Sequence, residues 1–397
     1  MRRVADVERR ARLGRRHALA PGSRVADVEA ATRAMVVLHA TEAASVHLAA
    51  AARVDGISVA DVDRALYETR YLVKQLAMRR TLFVFPRDLL PAAVGSAGAR
   101  VAATEQRTLV KHMVAGGLSP RVDTAEQRLA EAERAVLERL ATGAELTTRE
   151  VSRQVPETSG RVLSSAGTAW ESSDPFAPRV LTVLGARGRI VRGHNDLGWR
   201  QARYRWAATD SWLGEPLLPA TADQGYAELV LRYLGAFGPA TEDDIVWWLG
   251  STKTAVRQAL ADVEAVNVEL ESGPAAYLLA DDLDPEPPVE PWAALLPTLD
   301  PTTMGWKVRD FYLDAADVPY LFDRAGNAGP TAWWDGRIVG TWVQDDAARV
   351  QVIPRGLLPR RAQQALQREA DRLTAWFAGE RVNSFFVTRL ATGMPLR

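Results

Sequence analysis

Cysteine is absent from this sequence of 397 residues, and histidine occurs only five times. The lack of thiols excludes disulfides, thiolate zinc sites, iron–sulfur clusters and cysteine nucleophiles, and five histidines leave little material for a metal site. No apolar run approaches the roughly 20 residues of a membrane span, and MRRVADVERRARLGRR at the N-terminus lacks the apolar core of a signal peptide. The sequence therefore predicts a soluble cytoplasmic protein.

Several common enzyme motifs are missing as well. The chain contains no phosphate-binding GxxxxGK[ST], no GxGxxG after a strand, no HExxH and no GxSxG. Kinases, dinucleotide-dependent dehydrogenases, zinc hydrolases and serine hydrolases are disfavoured as a group. We expect no cofactor.

Charge is balanced over the whole chain, so a site for a polyanion has to come from local clustering. The first 20 residues hold seven arginines against Asp6 and Glu8. This segment is either a solvated helix face or a helix that faces phosphates.

The segment 223–283 predicts a winged helix-turn-helix. AELVLRYL has helical spacing, Thr241 and Asp244 form a capping pair before EDDIVWWL, and Gly250 ends that helix. Ser251 is placed to cap TKTAVRQALADV, and VNVEL, SGP and AAYLLA then predict a β-hairpin.

A looser copy of this unit precedes it. A helix near 124–140 leads to a second helix capped by Thr147 or Thr148, and an Asp-Pro pair opens a third helix, DPFAPRVLTVLGARG. The hairpin that follows, with its turn at HNDLG, carries six arginines against Asp196 alone: Arg187, Arg189, Arg192, Arg200, Arg203 and Arg205. Basic residues interleaved with Trp199, Tyr204 and Trp206 suit a nucleic-acid groove, although charge also protects edge hairpins from aggregation.

We predict an α+β fold of tandem winged helix-turn-helix units, three in number, followed by a C-terminal β-barrel. The predicted domains are an N-terminal helical or winged-helix domain (1–122), a second winged helix with the basic hairpin (123–218), a third winged helix (219–284), and a β-barrel with one helix (285–397). The proline-rich segment DLDPEPPVEP marks the last boundary, and PRRAQQALQREADRLTAWFAG predicts the helix that covers one face of the barrel.

One junction combines a histidine with a possible helix start. In VVLHATEAASVHL, Thr41 is a natural N-cap for the following helix and Glu42 suits its first turn. His39 would then be a nearly buried histidine bonded to a helix-end carbonyl. The residues by themselves favour this structural interpretation.

VVLHATEAASVHL, MRRTLFVF, LLPTLDPTTMGWKVRDFYL and GPTAWWDGRIVGTW occur in an order that resembles the winged-helix DNA glycosylase superfamily that includes AlkZ and YcaQ. The resemblance spans nearly the whole chain. It implies a C-shaped molecule that encloses damaged double-stranded DNA. It also implies hydrolysis of the N-glycosidic bond of alkylated purines, without a metal or redox cofactor.

The resemblance places His39 and Thr41 where relatives carry Gln-x-Gln or Gln-x-Asp, so this chain departs from the pattern at both positions. An alkylated purine is already cationic, so the site has mainly to place a water and stabilise the sugar cation. A neutral His39, with the ordinary pKa near 6.5, would accept a proton from that water while Thr41 orients it. Neither residue supplies an amine, which implies a monofunctional glycosylase.

DNA contacts follow from the same resemblance. It places Arg79, Arg80 and Thr81 near the DNA-facing cleft with Lys74 beside them, and their alternative role is that of ordinary surface ion pairs. The hairpin arginines would position the DNA backbone without selecting sequence. A non-enzymatic winged-helix regulator, or a family member with lost or altered activity, stays open. The lack of a heptad or dimer helix favours a monomer.

Overall fold

A computed structural model describes residues 2–384, 386 and 388–393 of the chain. Its helices surround four separate sheets, so the predicted α+β class is confirmed. The largest hydrophobic core includes residues from Leu13 in the first helix to Ile338, and a second core is formed by residues between Leu109 and Trp206. Among the described helices, none combines the length and the apolar character that crossing a bilayer requires.

The N-terminal region is mostly helical, with a β-hairpin at LVKQLAMRRTLFVFP. Short π-helical turns at Arg64–Glu68 and Val94–Gly98 extend two of the helices, and 3-10 turns lie at Met78–Arg80 and Arg87–Leu89. The elements are β1 (Arg3–Val4), α1 (Asp6–Arg16), α2 (Val28–Ala34), β2 (Leu38–His39), α3 (Ala43–Ala51), α4 (Val59–Asp63), β3 (Leu72–Leu76), β4 (Leu82–Pro86), α5 (Leu90–Ala93) and α6 (Ala99–Ala115).

The second region follows the predicted order of helices and hairpin. Thr147 caps its second helix through a capping box with Glu150, as predicted, whereas the third helix begins after Pro175 and Asp174 lies in a strand. The elements are α7 (Val122–Ala141), α8 (Thr148–Gln154), β5 (Arg161–Ser164), β6 (Ser172–Pro175), α9 (Phe176–Ala186), β7 (Ile190–Asn195), β8 (Tyr204–Ala208) and α10 (Thr209–Leu213).

The basic hairpin β7–β8 is not a free wing. Strand β7 pairs antiparallel with β3 through Arg192 and Lys74, which gives a five-stranded sheet in the order β2-β4-β3-β7-β8. The strands on either side of the 122/123 boundary thus share one sheet. This sheet places β2, with His39, and β8 at opposite edges.

The third region has the three helices and the hairpin that the sequence predicts. Its elements are α11 (Ala222–Phe237), α12 (Glu242–Leu249), α13 (Lys253–Asp262), β9 (Val266–Leu270) and β10 (Ala275–Leu278). Thr241 and Asp244 form the expected capping box, and Gly250 ends α12 with φ +62°. The cap of α13 is Thr252 rather than Ser251, and β1 adds to β9 in parallel.

The C-terminal region contains an open sheet where the sequence predicts a barrel. Its elements are β11 (Ala293–Leu296), α14 (Pro301–Met304), α15 (Val318–Leu321), β12 (Thr331–Trp334), β13 (Arg337–Gln344), β14 (Val350–Pro354), α16 (Arg360–Phe377) and α17 (Arg389–Thr392). The sheet order is β11-β12-β13-β14, and in the described residues the edge strands β11 and β14 do not pair. The predicted helix, α16, packs against both edge strands, so it covers apolar surface that a closed barrel would bury.

The sequence DG between the apolar runs TAWW and RIVGTW is typical of a tight turn, and the structure has one there. Trp334 pairs with Arg337, and the two residues between them, Asp335 and Gly336, have φ angles of 49° and 75°. This two-residue turn with positive φ at both positions is the type that joins twisted strands.

The arginine-rich N-terminus was predicted to be either a solvated helix face or a helix that faces phosphates, and both predictions are wrong for Arg12 and Arg16. Arg12 is 2% exposed, and its guanidinium binds Glu8 at 2.9 Å and Asp282 at 2.8 Å. Arg16 also binds Asp282, at 2.6 Å. Helix α1 therefore neither faces solvent with these arginines nor offers them to phosphates, because they anchor the acidic linker before β11.

Candidate active site

A cleft of about 1260 Å³ brings together residues from distant parts of the chain. Its lining is strongly basic, with seven arginines against the carboxylates of Glu150 and Asp196. The arginines are Arg79, Arg80, Arg149, Arg153, Arg192, Arg203 and Arg205. Such a field favours a polyanion.

His39 lies in this cleft, on strand β2 and not at a helix end. The strand pairs His39 with Phe83 of β4, and the two ring centroids are 4.5 Å apart. The side chain is buried, at 6% exposure, and neither ring nitrogen has a hydrogen-bond partner among the described residues. The expected bond to a helix-end carbonyl is therefore absent, and both ring nitrogens are buried without a partner among the described residues.

The protonation state of His39 follows from its surroundings. Burial, followed by the charge of nearby Arg79, lowers the pKa of His39 to about 3. The imidazole is thus neutral at pH 7, with one nitrogen able to accept a hydrogen bond and the other able to donate one.

Thr41 does not cap the following helix, contrary to the prediction. Helix α3 begins at Ala43, its N-cap position is Glu42, and no side chain caps it. Because Glu42 takes the position assigned to Thr41, the threonine is left exposed on the cleft lining that also includes His39.

The turn between β3 and β4 brings three further predicted residues into the cleft. Arg79 and Arg80 are consecutive left-handed residues with φ of 53° and 56°, a strained arrangement for side chains with a Cβ. The guanidinium of Arg79 lies 4.3 Å from the ring centroid of Trp247, while Arg80 pairs with Glu105 at 3.2 Å. Thr81 completes this part of the lining.

Lys74 lies elsewhere. It is buried, at 3% exposure, and does not belong to the cleft lining. Its ammonium donates to the hydroxyl of Tyr67 and lies 4.8 Å from the ring centroid of Tyr204, which does line the cleft. Burial lowers the pKa of Lys74 to about 7. The structure therefore separates Lys74 from the surface where a phosphate contact is expected.

The six hairpin arginines divide into two groups. Arg192, Arg203 and Arg205 line the cleft, whereas Arg187, Arg189 and Arg200 do not. Arg187 binds Glu133 of α7 at 2.5 Å and Gln106 of α6 at 2.7 Å, so it is a structural contact. Arg200 lies 3.8 Å from Glu380, and Arg189 is exposed outside the cleft.

Other lining residues are missed by sequence reasoning. Arg149 and Arg153 belong to α8, and their spacing in TTREVSR would have placed both on one helix face. The C-terminal region contributes a less charged part of the lining, for which no local sequence signal exists: Leu299, Met304, Asn327 and Phe386.

A buried ion pair holds the C-terminal part of this lining in place. Arg53, just after α3, binds Asp300 with two hydrogen bonds of 2.7 and 2.9 Å, and both side chains are fully buried. Asp300 follows Leu299 directly and caps α14. This pair fastens the loop that carries Leu299 to the helix that follows Thr41.

Comparison with known proteins identifies the family and the fold of this chain. The family model for AlkZ-like DNA glycosylases matches residues 32–376. The solved structure of the DNA glycosylase AlkZ from Streptomyces sahachiroi is similar over 98% of this chain and 100% of that chain, with a TM-score of 0.75 at 21% identity, which shows a shared fold. Among curated proteins no match was found. Because the family model covers most of its length, this chain belongs to the AlkZ-like DNA glycosylases, enzymes that cleave the bond between a base and its sugar in DNA.

Proposed function

We propose that this protein is a monofunctional glycosylase that hydrolyses the N-glycosidic bond of alkylated purines in double-stranded DNA and leaves an abasic site. Its substrates are N7-guanine and N3-adenine adducts, including bulky adducts of natural products. The observation that carries the proposal is a neutral, unpartnered His39 on the same arginine-rich lining as Thr41. Family membership sets aside the non-enzymatic regulator.

Cleavage of this N-glycosidic bond needs little help from a general acid that would protonate the leaving base. An alkylated purine leaves with the bonding electron pair, and because the base is already cationic it leaves as a neutral molecule. The sugar becomes an oxocarbenium ion, which a water must attack at its anomeric carbon. The enzyme has to bind the DNA, hold that water and keep extra positive charge away from the reacting carbon.

His39 fits the task of holding the water. A pKa of about 3 makes it a weaker base than the ordinary imidazole that the sequence suggests, so it acts first as a hydrogen-bond acceptor. Since an oxocarbenium ion is a strong electrophile, water can add to it while His39 only begins to take the proton. The proton then passes through His39 to solvent.

Thr41 completes the proposed water site. Its hydroxyl can accept from the water or donate to it, which orients the lone pair that attacks. Its exposure on the cleft lining leaves it accessible to substrate and solvent.

The absence of a cleft amine supports hydrolysis rather than a covalent step. The described residues of the cleft lining include no lysine, and Lys74 is buried outside that lining. A Schiff base with the sugar therefore has no nucleophile there. We propose that the enzyme acts as a monomer, releases the base without cutting the strand and needs neither a metal nor a cofactor.

The winged-helix organisation also belongs to this proposal. Helices α7, α8 and α9 with β7–β8, and helices α11, α12 and α13 with β9–β10, support two such units at 123–218 and 219–284. The N-terminal domain 1–122, with its hairpin β3–β4, would be the third, and 285–397 a separate C-terminal domain.

The test is release of the damaged base. Duplex DNA with N7-methylguanine or N3-methyladenine is incubated with enzyme, then heated in mild alkali to cut abasic sites, and a sample without enzyme gives the rate of spontaneous loss. We expect release above that rate, and a loss of about 100-fold in His39→Ala, the lower end for acid–base groups. His112→Ala, a partly buried histidine outside the cleft, is the matched control.

His39→Gln sharpens this test, because an amide oxygen also accepts a hydrogen bond from water. We expect it to keep much of the activity that His39→Ala loses. Wild-type rates in both His39→Ala and Thr41→Ala would disprove the mechanism even if the protein releases the base.

A further inference from the structure

Helix α8 presents two arginines to the cleft that no part of the proposed mechanism uses. Arg149 and Arg153 are both exposed and both line the cleft. Residues at i and i+4 share a helix face, about 6 Å apart along the axis. In the described part of the chain neither guanidinium is within salt-bridge distance of a carboxylate, although Arg153 is close enough to Glu150 for its charge to help lower the pKa of that carboxyl group. Two adjacent cations on one face are thus left without a direct ion pair.

The helix that carries them is firmly attached to the basic hairpin. Leu146, just before α8, exchanges backbone hydrogen bonds of 3.0 and 2.7 Å with Trp206 of β8. The indole of Trp206 also donates to the hydroxyl of Thr148 at 3.1 Å. The capping box of Thr147 and Glu150 fixes the first turn. The two guanidinium groups therefore extend from a backbone that is already ordered.

Two neighbouring arginines are already engaged. Arg205 binds Asp196 at 2.6 Å and lies 3.3 Å from Glu150, so internal carboxylates offset its charge. Arg192 lies over the ring of Trp206, 3.4 Å from its centroid. Arg203 differs from both, because its side chain is exposed and only its backbone is held: its N–H donates to the side-chain oxygen of Asn195 at 2.7 Å, and its carbonyl accepts from the N–H of Asp196 at 3.1 Å.

We infer that Arg149 and Arg153, together with Arg203, form a track that binds successive phosphodiesters of one DNA strand. Arginine suits this ligand because its planar fork donates two hydrogen bonds to phosphate oxygens. The track reads no sequence, and it fixes the register in which the strand passes His39. The inference rests on DNA as the substrate, and it is independent of the chemistry proposed for His39 and Thr41.

The test measures binding of undamaged duplex DNA by fluorescence anisotropy over a range of NaCl concentrations. Each phosphate contact contributes about 0.9 to the slope of log affinity against log salt. The double variant Arg149→Ala/Arg153→Ala should lower that slope by about 2. At one salt concentration it should weaken binding by up to about 25-fold, roughly fivefold for each exposed ion pair.

Arg134→Ala is the matched control, since Arg134 is an exposed arginine of the neighbouring helix α7 that does not line the cleft. Its slope and affinity should equal those of the wild type. A double variant with the wild-type slope would overturn the inference, and so would an equal loss in Arg134→Ala.

A second double variant separates charge from structure. Arg149→Lys/Arg153→Lys keeps both charges and should recover most of the slope. A slope as low as that of the alanine pair, with unchanged melting temperature, would show that the effect does not come from phosphate charge. Because binding of undamaged DNA requires no base release, a lowered slope in a protein that releases no base would support the track and reject the proposed function.

Discussion

Helix α1 and the α8–hairpin region are both rich in arginine, yet they use it in opposite ways. In α1 the arginines turn inward, where Arg12 is 2% exposed between Glu8 and Asp282. In the second region Arg149, Arg153 and Arg203 are exposed on the cleft lining. The difference lies in the position of the carboxylates, because Asp282 is supplied by a linker about 270 residues further along the chain. Local charge density therefore does not identify a DNA-binding surface.

Arg12→Ala should have the largest effect of the changes that test this contrast. It removes a buried guanidinium that binds Glu8, Asp282 and the carbonyl of Asp284. Arg2 and Arg16 still pair with the two carboxylates, so we expect the free energy of unfolding to fall by about 3 kcal/mol, the lower end for a broken buried pair. Chemical denaturation measures this. The exposed Arg3, whose side chain donates to the carbonyl of Glu271 and to no other described residue, is the control, and Arg3→Ala should cost well under 1 kcal/mol. Equal effects of the two variants would contradict the anchoring role of α1.

The second prediction concerns how the stability of the protein depends on pH through His39, which lies near the buried Arg79. Burial and this arginine lower the pKa of His39 to about 3, whereas the unfolded chain has the ordinary value near 6.5. Between these values the unfolded state binds a proton that the folded state does not, so stability falls as pH falls below 6.5. Replacing His39 by glutamine removes this dependence. The loss of unfolding free energy between pH 7 and pH 5 should be smaller by about 2 kcal/mol in His39→Gln.

Denaturation curves at both pH values check that prediction. Buried His17 and His47 also have lowered pKa values, and they contribute the same acid sensitivity to wild type and variant. The comparison therefore isolates His39. Identical pH dependence in the two proteins would mean that His39 is protonated as readily in the folded state as in the unfolded state.

Arg203→Ala tests an exposed arginine of the hairpin. We expect about fivefold weaker binding of duplex DNA, near 1 kcal/mol, because a single exposed charge contact is lost. The melting temperature should stay the same, in contrast to Arg12→Ala. Anisotropy titration at fixed salt measures the affinity. A large loss of stability without a loss of binding would assign Arg203 to the structural group.

The smallest effect is expected from Asp196→Asn. This change removes a negative charge that partly neutralises Arg205 in the cleft. Arg205 keeps its neighbour Glu150 but loses the charge of its closest carboxylate. DNA should bind about two- to threefold more tightly, and the gain should shrink at high salt. Weaker binding in this variant would show that Asp196 orients Arg205 for DNA instead of competing with it.

Local signals in the sequence predicted much of the fold. The capping boxes at Thr147 and Thr241, the left-handed Gly250 and the Asp335–Gly336 turn all depend on residues close together in the chain. Sequence patterns failed where distant segments decide the outcome. Strand β7 joins β3 instead of forming a free wing, and α16 covers a sheet that was expected to close.

For the candidate site, too, some features were predicted from the sequence and others were not. Its position at the LHAT junction came from family resemblance, and the cleft does contain both His39 and Thr41. Their local structure was predicted incorrectly, because His39 lies in β2 and Glu42 occupies the cap position that was assigned to Thr41. A strand of two residues and the exact first residue of a helix both leave only weak patterns in a sequence. The buried position of Lys74 depends on Tyr67 and Tyr204, the second of which lies far along the chain.

The ion pair of Arg53 and Asp300 has a consequence for when the enzyme can first act during its synthesis. Residues from His39 to Phe386 line the cleft, and this pair joins the segment just after α3 to the start of α14 in the C-terminal region. Domains fold as they emerge from the ribosome, with N-terminal parts first. His39 and Thr41 are therefore made early but remain without the C-terminal part of the cleft lining until Phe386 has left the ribosome. We expect nascent chains that have not reached this point to be unable to remove bases.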